Sequence, residues 1–296
     1  AGNCAEFCPT MHHVSVNEEQ VFEWQNWKKC AINPIFPQGG TWIFDRAGWC
    51  PGSFADTYDI EISDYVAATD SIELDYGMVQ HPVGNGEGNF NVSLQLIQYS
   101  APNFQNDAAI VDVTAPNKAD LYRRYNPICK HPEIVIKNTG ANALHSLNVE
   151  YGLNGDYSYS YQWMGDLNFL ETDTVQLPVI AWTEFILENT FNVRISQPNQ
   201  LQDEYPYNNT FSTTFNTVDI YPVTNVLIVK TNNYGNETHY QVLDSEGNIL
   251  IDRDNLTSNT SYSDTLDFAP GCYEIRLWDR GEDGLHFWYW DDADGT

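Results

Sequence analysis

The sequence predicts an all-β chain built of three successive units, and three observations carry that expectation. Aromatic residues make up 14% of the chain, with Tyr 18 and Trp 9. Such rings fit pleated, half-buried surfaces, and the Asn, Asp, Gly and Thr between the short apolar runs supply tight turns. No stretch keeps apolar residues at i, i+3, i+4 and i+7 over three turns, so long amphipathic helices are not expected. The length of 296 residues suits two or three domains at roughly 100–200 residues each.

Residues 1–106 form the first expected unit. Alternation in Tyr58-Asp59-Ile60-Glu61-Ile62 and in Phe90-Asn91-Val92-Ser93-Leu94-Gln95-Leu96 predicts two strands. Gly84-Asn85-Gly86-Glu87-Gly88-Asn89 predicts a loop. The stretch 18–27 predicts one short helix ending before Cys30.

The second unit, residues 107–220, opens with a strand at Ala109-Ile110-Val111-Asp112-Val113. Further strands are expected at 134–140, 147–151, 157–163, 174–177 and 191–195, with 205–209 closing the unit. Short strands about ten residues apart point to an immunoglobulin-like β-sandwich. The third unit, residues 221–296, is expected to be a truncated C-terminal β-sandwich module. Its strands are read at 226–229, 240–243 and 272–278, with a turn at 244–248. The sequence stops at Asp294-Gly295-Thr296, where closing strands are expected, and it begins without an initiator Met or signal peptide, as a mature or trimmed product does.

Charge and cysteines narrow the class. Thirteen Lys+Arg against 41 Asp+Glu leave a net charge of −28, which disfavours nucleic acid, because phosphate binding needs clustered cations. No apolar run approaches the ~20 residues of a membrane-spanning helix. Six cysteines allow 15 pairings. Four of them fall in the first fifty residues without a CxxC spacing, so disulfides in an exported protein are expected rather than a thiol site. Cys129 and Cys272 lie in different units, either free and buried or bridging the two.

Chemistry concentrates near the start. Cys4-Ala5-Glu6-Phe7-Cys8 sets two cysteines around a carboxylate, and a small ring there would orient Glu6 for substrate positioning or proton handling. Cys30-Ala31-Ile32-Asn33-Pro34-Ile35 and Asp45-Arg46-Ala47-Gly48-Trp49-Cys50-Pro51-Gly52 follow. Arg46 beside Asp45 reads either as an ion pair in a stapled loop or as a glycan contact, both suited to the planar guanidinium.

Together these motifs resemble the second domain of the bacterial peptide-N-glycosidase F family, secreted amidases that release N-linked glycans from asparagine. The resemblance covers about the first sixty residues well and the rest of the first unit loosely. It implies an eight-stranded jelly roll, present here only in part, with pairings Cys4–Cys8 and Cys30–Cys50. It implies that Glu6 and Arg46 belong to the family's cleft, with Trp49 as a wall. Asp45 and Trp49 are the candidate substrate-binding residues. The family's essential aspartate lies in a preceding jelly roll, and this sequence contains no such domain, so the chain alone is not expected to deglycosylate.

Other motifs admit plainer readings. Met11-His12-His13 suggests copper, but neighbours on a strand point to opposite faces, so the two histidines cannot share a site without distortion. Asp279-Arg280-Gly281-Glu282-Asp283-Gly284 lacks the third- and twelfth-position ligands of an EF-hand, where Gly281 and Trp290 stand. A looser calcium turn through Asp279 and Asp283 remains beside an ordinary acidic β-turn, and no other cofactor is expected. Phe287-Trp288-Tyr289-Trp290 reads as core packing rather than a carbohydrate platform.

Asn126-Pro127-Ile128-Cys129 leading into strand 134–140 resembles adhesion-type repeats of exported Bacteroidota proteins. Pro270-Gly271-Cys272-Tyr273 with residues 279–284 resembles modules of type IX secretion cargo. Asp70-Ser71-Ile72, Asp173-Thr174-Val175 and Asp264-Thr265-Leu266 fit that phylum's short O-glycosylation pattern. The expectation is a piece of a secreted or outer-membrane-surface protein related to glycan-releasing amidases. The alternative is a non-catalytic adhesin, a carbohydrate-binding protein or export-machinery cargo. Partners are a glycan or glycoprotein, secretion machinery or other surface proteins.

Overall fold

The structure is a computed structural model and describes residues 5–35, 38–66, 71–79, 90–126, 128–182, 189–282, 284–287 and 289. Antiparallel strands dominate, as expected from the composition. Among the described residues the one α-helix, α1 (Ser63–Val66), is a single turn.

The first unit holds β1 (Thr10–Val16), β2 (Glu19–Asn26) and β3 (Leu74–Met78) in the order β2-β1-β3. β1 alternates buried and half-buried positions and turns Thr10, His12, Val14 and Val16 inward. The predicted helix over 18–27 is instead β2. Its apolar residues Val21, Phe22, Trp24 and Trp27 mimic a helical spacing, but pairing with β1 from Thr10↔Asn26 to Val16↔Glu19 decides the conformation. The segments 58–62 and 90–96 are not strands. Val92, Leu94 and Leu96 alternate as a strand would, yet they are exposed and pair with no strand among the described residues. The Gly-rich 84–89 loop lies outside the described residues.

Among the described residues the second unit is a seven-stranded sandwich. One sheet orders β10 (Thr210–Phe215), β9 (Asn189–Ser196), β6 (Leu144–Leu153) and β7 (Tyr159–Leu167). The other orders β4 (Ala108–Ala115), β5 (Glu133–Asn138) and β8 (Thr172–Gln176). Period-2 alternation in β5 turns Ile134 and Ile136 into a core with Leu147, Val149, Tyr151, Phe191 and Val193. Polar ends of the core aromatics are satisfied: the Tyr151 hydroxyl donates to the Pro178 carbonyl at 2.9 Å and the Trp163 indole to Asp173 at 2.8 Å. The expected closing segment 205–209 contains a 3-10 turn, Pro206–Asn208, and β10 closes the sheet instead.

The third unit pairs β11 (Thr224–Lys230) with β14 (Ser261–Asp267). Its second sheet orders β13 (Ile249–Arg253), β12 (Thr238–Leu243) and β15 (Glu274–Asp279). Tyr240 anchors a small core with Val229 and Leu256, and its hydroxyl donates to the buried Asp264 carboxylate at 2.6 Å. Cys129 and Cys272, left open by the sequence, form a disulfide that fastens this unit to the second. Lys130 and Glu274 pair beside it at 2.8 Å.

Candidate functional site

The loop between β2 and α1 folds back on itself and brings the candidate residues together. Lys28 and Arg46 form an isolated antiparallel bridge, with backbone hydrogen bonds of 2.7 and 3.1 Å. The Cys30–Cys50 disulfide closes the same loop, as the resemblance implies. The Asp45 carboxylate accepts the Cys30 backbone N–H at 3.2 Å. Glu6 lies in a 3-10 turn, Ala5–Phe7, whose Glu6 carbonyl accepts the Ala47 N–H at 2.7 Å. The N-terminal turn is thereby tied to the arginine loop.

Arg46 is the centre of this arrangement. It is 2% exposed, and a buried guanidinium needs acceptors on its donors. Nη1 donates to the Phe44 carbonyl at 2.8 Å, and Nη2 to the Thr41 carbonyl and hydroxyl, both at 2.7 Å. Nε faces Glu6 Oε2 at 3.7 Å, an ion pair too long to be a hydrogen bond. The rings of Phe7 and Trp49 each lie 5.0 Å from the guanidinium carbon, within cation–π range. Gly48 makes the return of Trp49 possible. Its φ is +79°, and a Cβ there would stand 2.5 Å from the Asn26 side chain.

The Glu6 side chain is 42% exposed, so one face of its carboxylate meets solvent while the other faces the cation. Trp49 is likewise exposed. The result is an exposed carboxylate and an exposed aromatic face that both approach one buried cation. Hydroxyls and the apolar face of a sugar ring match such a pair of features. The arginine's hydrogen bonds all point into the protein, which makes it a scaffold for the rim.

The structure thus unites Glu6, Arg46, Trp49, Asp45, Cys30 and Cys50 in one loop system. Cys8 is disulfide-bonded; Cys4, its implied partner, lies outside the described residues. The sequence reading missed Phe7, Thr41 and Phe44 as the groups that hold the arginine. Phe7 was detectable, since it sits inside the first cysteine pair. The backbone carbonyls of Thr41 and Phe44 leave no mark in a sequence.

The other candidates lie elsewhere. His12 is buried among Trp24, Tyr76 and Phe90, with ring centroids 5.1–5.7 Å away, and its Nδ1 is hydrogen-bonded to the Tyr76 hydroxyl. Burial pushes its pKa down, with His13 adding to the effect. His13 projects from β1 toward Gly77 of β3, where a Cβ would meet its imidazole at 2.2 Å. Among the described residues no group of three or more His, Cys, Asp or Glu is gathered for a metal ion. Asp279 accepts the Gly281 and Gly284 N–H groups at 3.2 and 2.6 Å and so shapes its own turn; Asp283 lies outside the described residues. Phe287 is buried, as core packing expects, but Tyr289 is exposed and does not join a core; Trp288 and Trp290 lie outside the described residues. No helix among the described residues is long and apolar enough to cross a membrane.

Residues 1–97 match the family model described as Peptide-N-glycosidase F, C terminal. The first third of the chain is similar to that enzyme's C-terminal part. The peptide-N(4)-(N-acetyl-β-D-glucosaminyl)asparagine amidase F of Elizabethkingia miricola is 33% identical over 100 residues, 33% of this chain and 28% of that protein. The chain therefore spans 28% of the length of this curated relative. Two solved structures are similar at low scores. A putative cell surface protein domain from Methanosarcina acetivorans is 17% identical, covering 40% of this chain and 96% of its own, with a TM-score of 0.32. The CARDB domain of a Pyrococcus furiosus protein is 14% identical, covering 44% and 100%, with a TM-score of 0.25. At these scores the likenesses carry no weight for fold or function. The Cys30–Cys50 and Cys129–Cys272 bridges, with the likeness to this amidase, suit an extracellular or secreted protein.

Proposed function

We propose that the first unit is one rim of a glycan cleft in a secreted or cell-surface multidomain bacterial protein related to glycan-releasing amidases, and that this chain alone binds without cleaving. One observation carries the reading. Within the stretch similar to the amidase, Glu6 and Trp49 converge on the same buried Arg46 guanidinium. The carboxylate offers an acceptor to a sugar hydroxyl or an asparagine-linked amide. Hydrolysis needs groups that together activate water against that amide; in this reading Glu6 lacks a partner for that step, since Arg46 is a cation with no basic site.

The inward engagement of Arg46 favours a second reading, a carbohydrate-binding protein or adhesin that keeps the rim for recognition alone. Export by the type IX route, an outer-membrane location and a place as export cargo belong to the proposal and rest on the sequence resemblances of the second and third units. Calcium at the Asp279–Asp283 turn is also part of it, checked by calcium-dependent melting that Asp279→Asn abolishes. To test the main reading, a denatured N-glycopeptide is incubated with the chain and the products are weighed by mass spectrometry. Intact glycopeptide is expected; free glycan with a newly formed aspartate overturns the binding-only role.

A further inference from the structure

Among the described residues each of the five sheets ends in two edge strands. An edge presents a row of unpaired N–H and C=O groups, which proteins defend with charge or with cover. Strands β2, β3, β4, β7, β8, β13, β14 and β15 each carry at least one Asp or Glu. Strand β10 is uncharged but covered: the Lys118 N–H donates to the Thr214 carbonyl at 2.9 Å, and the Thr213 hydroxyl to the Pro116 carbonyl at 2.6 Å. Strand β11 has neither defence. Its seven residues include no carboxylate, Lys230 at the end is its one charge, and β14 is its one strand partner among the described residues.

Alternation along β11 decides which side chains meet the core. Leu227 and Val229 join Tyr240 and Leu256 there, which leaves Thr224, Val226, Ile228 and Lys230 on the outer face. Val226 is 55% and Ile228 61% exposed. The approach to the strand adds exposed Ile220, Tyr221 and Val223, and a contiguous apolar run of this kind marks a contact surface. The outer face of β14 carries hydroxyls and, at its end, the exposed Asp267. Asp267 stands opposite Thr224 and accepts its hydroxyl at 3.1 Å.

We propose that β11 pairs edge to edge with β11 of a second copy of this chain, joining two β11–β14 sheets into one. The strand complements itself. In a two-fold antiparallel pairing centred on Leu227, Val226 faces the second copy's Ile228 and Thr224 faces its Lys230, and the same contacts recur from the other side. Four β-branched side chains then meet on one face. At each end the long Lys230 side chain extends over the short Thr224 of the opposing copy toward that copy's Asp267, its opposite in charge. A net charge of −28 opposes contact between copies over most of the surface, and this acid-poor edge is where the opposition is least. The pairing does not depend on the reading given to the Glu6 rim.

Sedimentation velocity of the whole chain, from low micromolar to several hundred micromolar, is expected to show a reversible dimer. Val226→Glu with Ile228→Glu sets glutamates directly opposite each other and should weaken the dimer by about tenfold or more. Val226→Glu with Ile228→Lys sets each glutamate opposite a lysine and should keep the affinity within about threefold of the unsubstituted chain. Lys230→Asp should weaken the dimer, and adding Asp267→Lys should restore it. All of these side chains are exposed, so melting at low concentration should not move. A monomer at every concentration, which would leave the edge to a different partner, overturns the proposal. So does a dimer that ignores the paired glutamates, or one weakened equally by both double substitutions.

Discussion

In the seven-stranded unit, Ile134, Ile136, Leu147, Val149, Tyr151, Phe191 and Val193 are all 0% exposed and form one continuous apolar core. Among the described residues of the first unit the buried apolar ones are few, and a disulfide, a buried guanidinium and an aromatic cluster around His12 stand beside them. Apolar burial is non-directional and tolerates drift on the surface above it. Stapling by directional bonds fixes particular side chains instead. The unit with the poorer core is therefore the one able to hold a carboxylate and an indole against a single cation.

The largest expected effect lies in the sandwich. Leu147→Ala should lower its stability by about 2–5 kcal/mol through lost burial and a residual cavity, seen as earlier amide exchange in the second unit. A comparable loss of protection in the first unit would break the distinction between the two. Next, Cys30→Ser with Cys50→Ser removes a crosslink of sequence separation 20, worth about 3 kcal/mol for a loop of that order. Hydrogen exchange should rise across residues 28–54 and leave β5 and β6 protected.

Arg46→Ala should cost about 2 kcal/mol, since the Thr41 and Phe44 carbonyls lose charge-assisted partners in a buried setting. Glu6→Gln should cost less than about 1 kcal/mol, because the carboxylate is substantially exposed and its pair is long. An inverted order of those two values, measured by urea unfolding of the first unit, would make the acid rather than the arginine the scaffold.

Acidity sharpens the comparison further. Burial holds the His12 pKa below its ordinary 6.5. The unfolded chain takes up that proton first, so the first unit's stability is full above 6.5 and declines as pH falls from there toward the folded value. In the third unit Asp264 is held below its ordinary 3.8, chiefly by its hydrogen bond to Arg253. That contribution is full above 3.8 and fades only as pH falls beneath it. Melting of the first unit at pH 5 before any change in the third is the expected order, and His12→Phe should remove the first transition.

Much of the sandwich was legible because burial and alternation coincide in β4, β5, β6 and β9. Strands β3, β10, β13 and β14 were missed: β3 is a five-residue run that contains Asp75 and Gly77, residues 210–215 are rich in hydroxyls, β13 has three consecutive apolar residues before Asp252 and Arg253 instead of an alternation, and β14 carries hydroxyls and Asp264 between Tyr262 and Leu266. The β2 error has the opposite cause, a helical spacing overruled by a partner strand far from any sequence window. Residues 90–96 alternate but pair with no strand among the described residues, so alternation alone does not place a segment in a sheet. At the site, the resemblance implied the Cys30–Cys50 pairing and the kinship of Glu6 with Arg46, while the carbonyl cage around the guanidinium arises only from the folded loop. The Cys129–Cys272 bridge could not be chosen over two free thiols from spacing alone.

The most direct test is a titration of the chain with an N-linked glycopeptide, followed by calorimetry. Saturable binding that weakens in Glu6→Gln and is lost in Trp49→Ala, with the glycopeptide recovered whole, is the predicted result. Binding that ignores both substitutions, or a glycan set free during the titration, would contradict it.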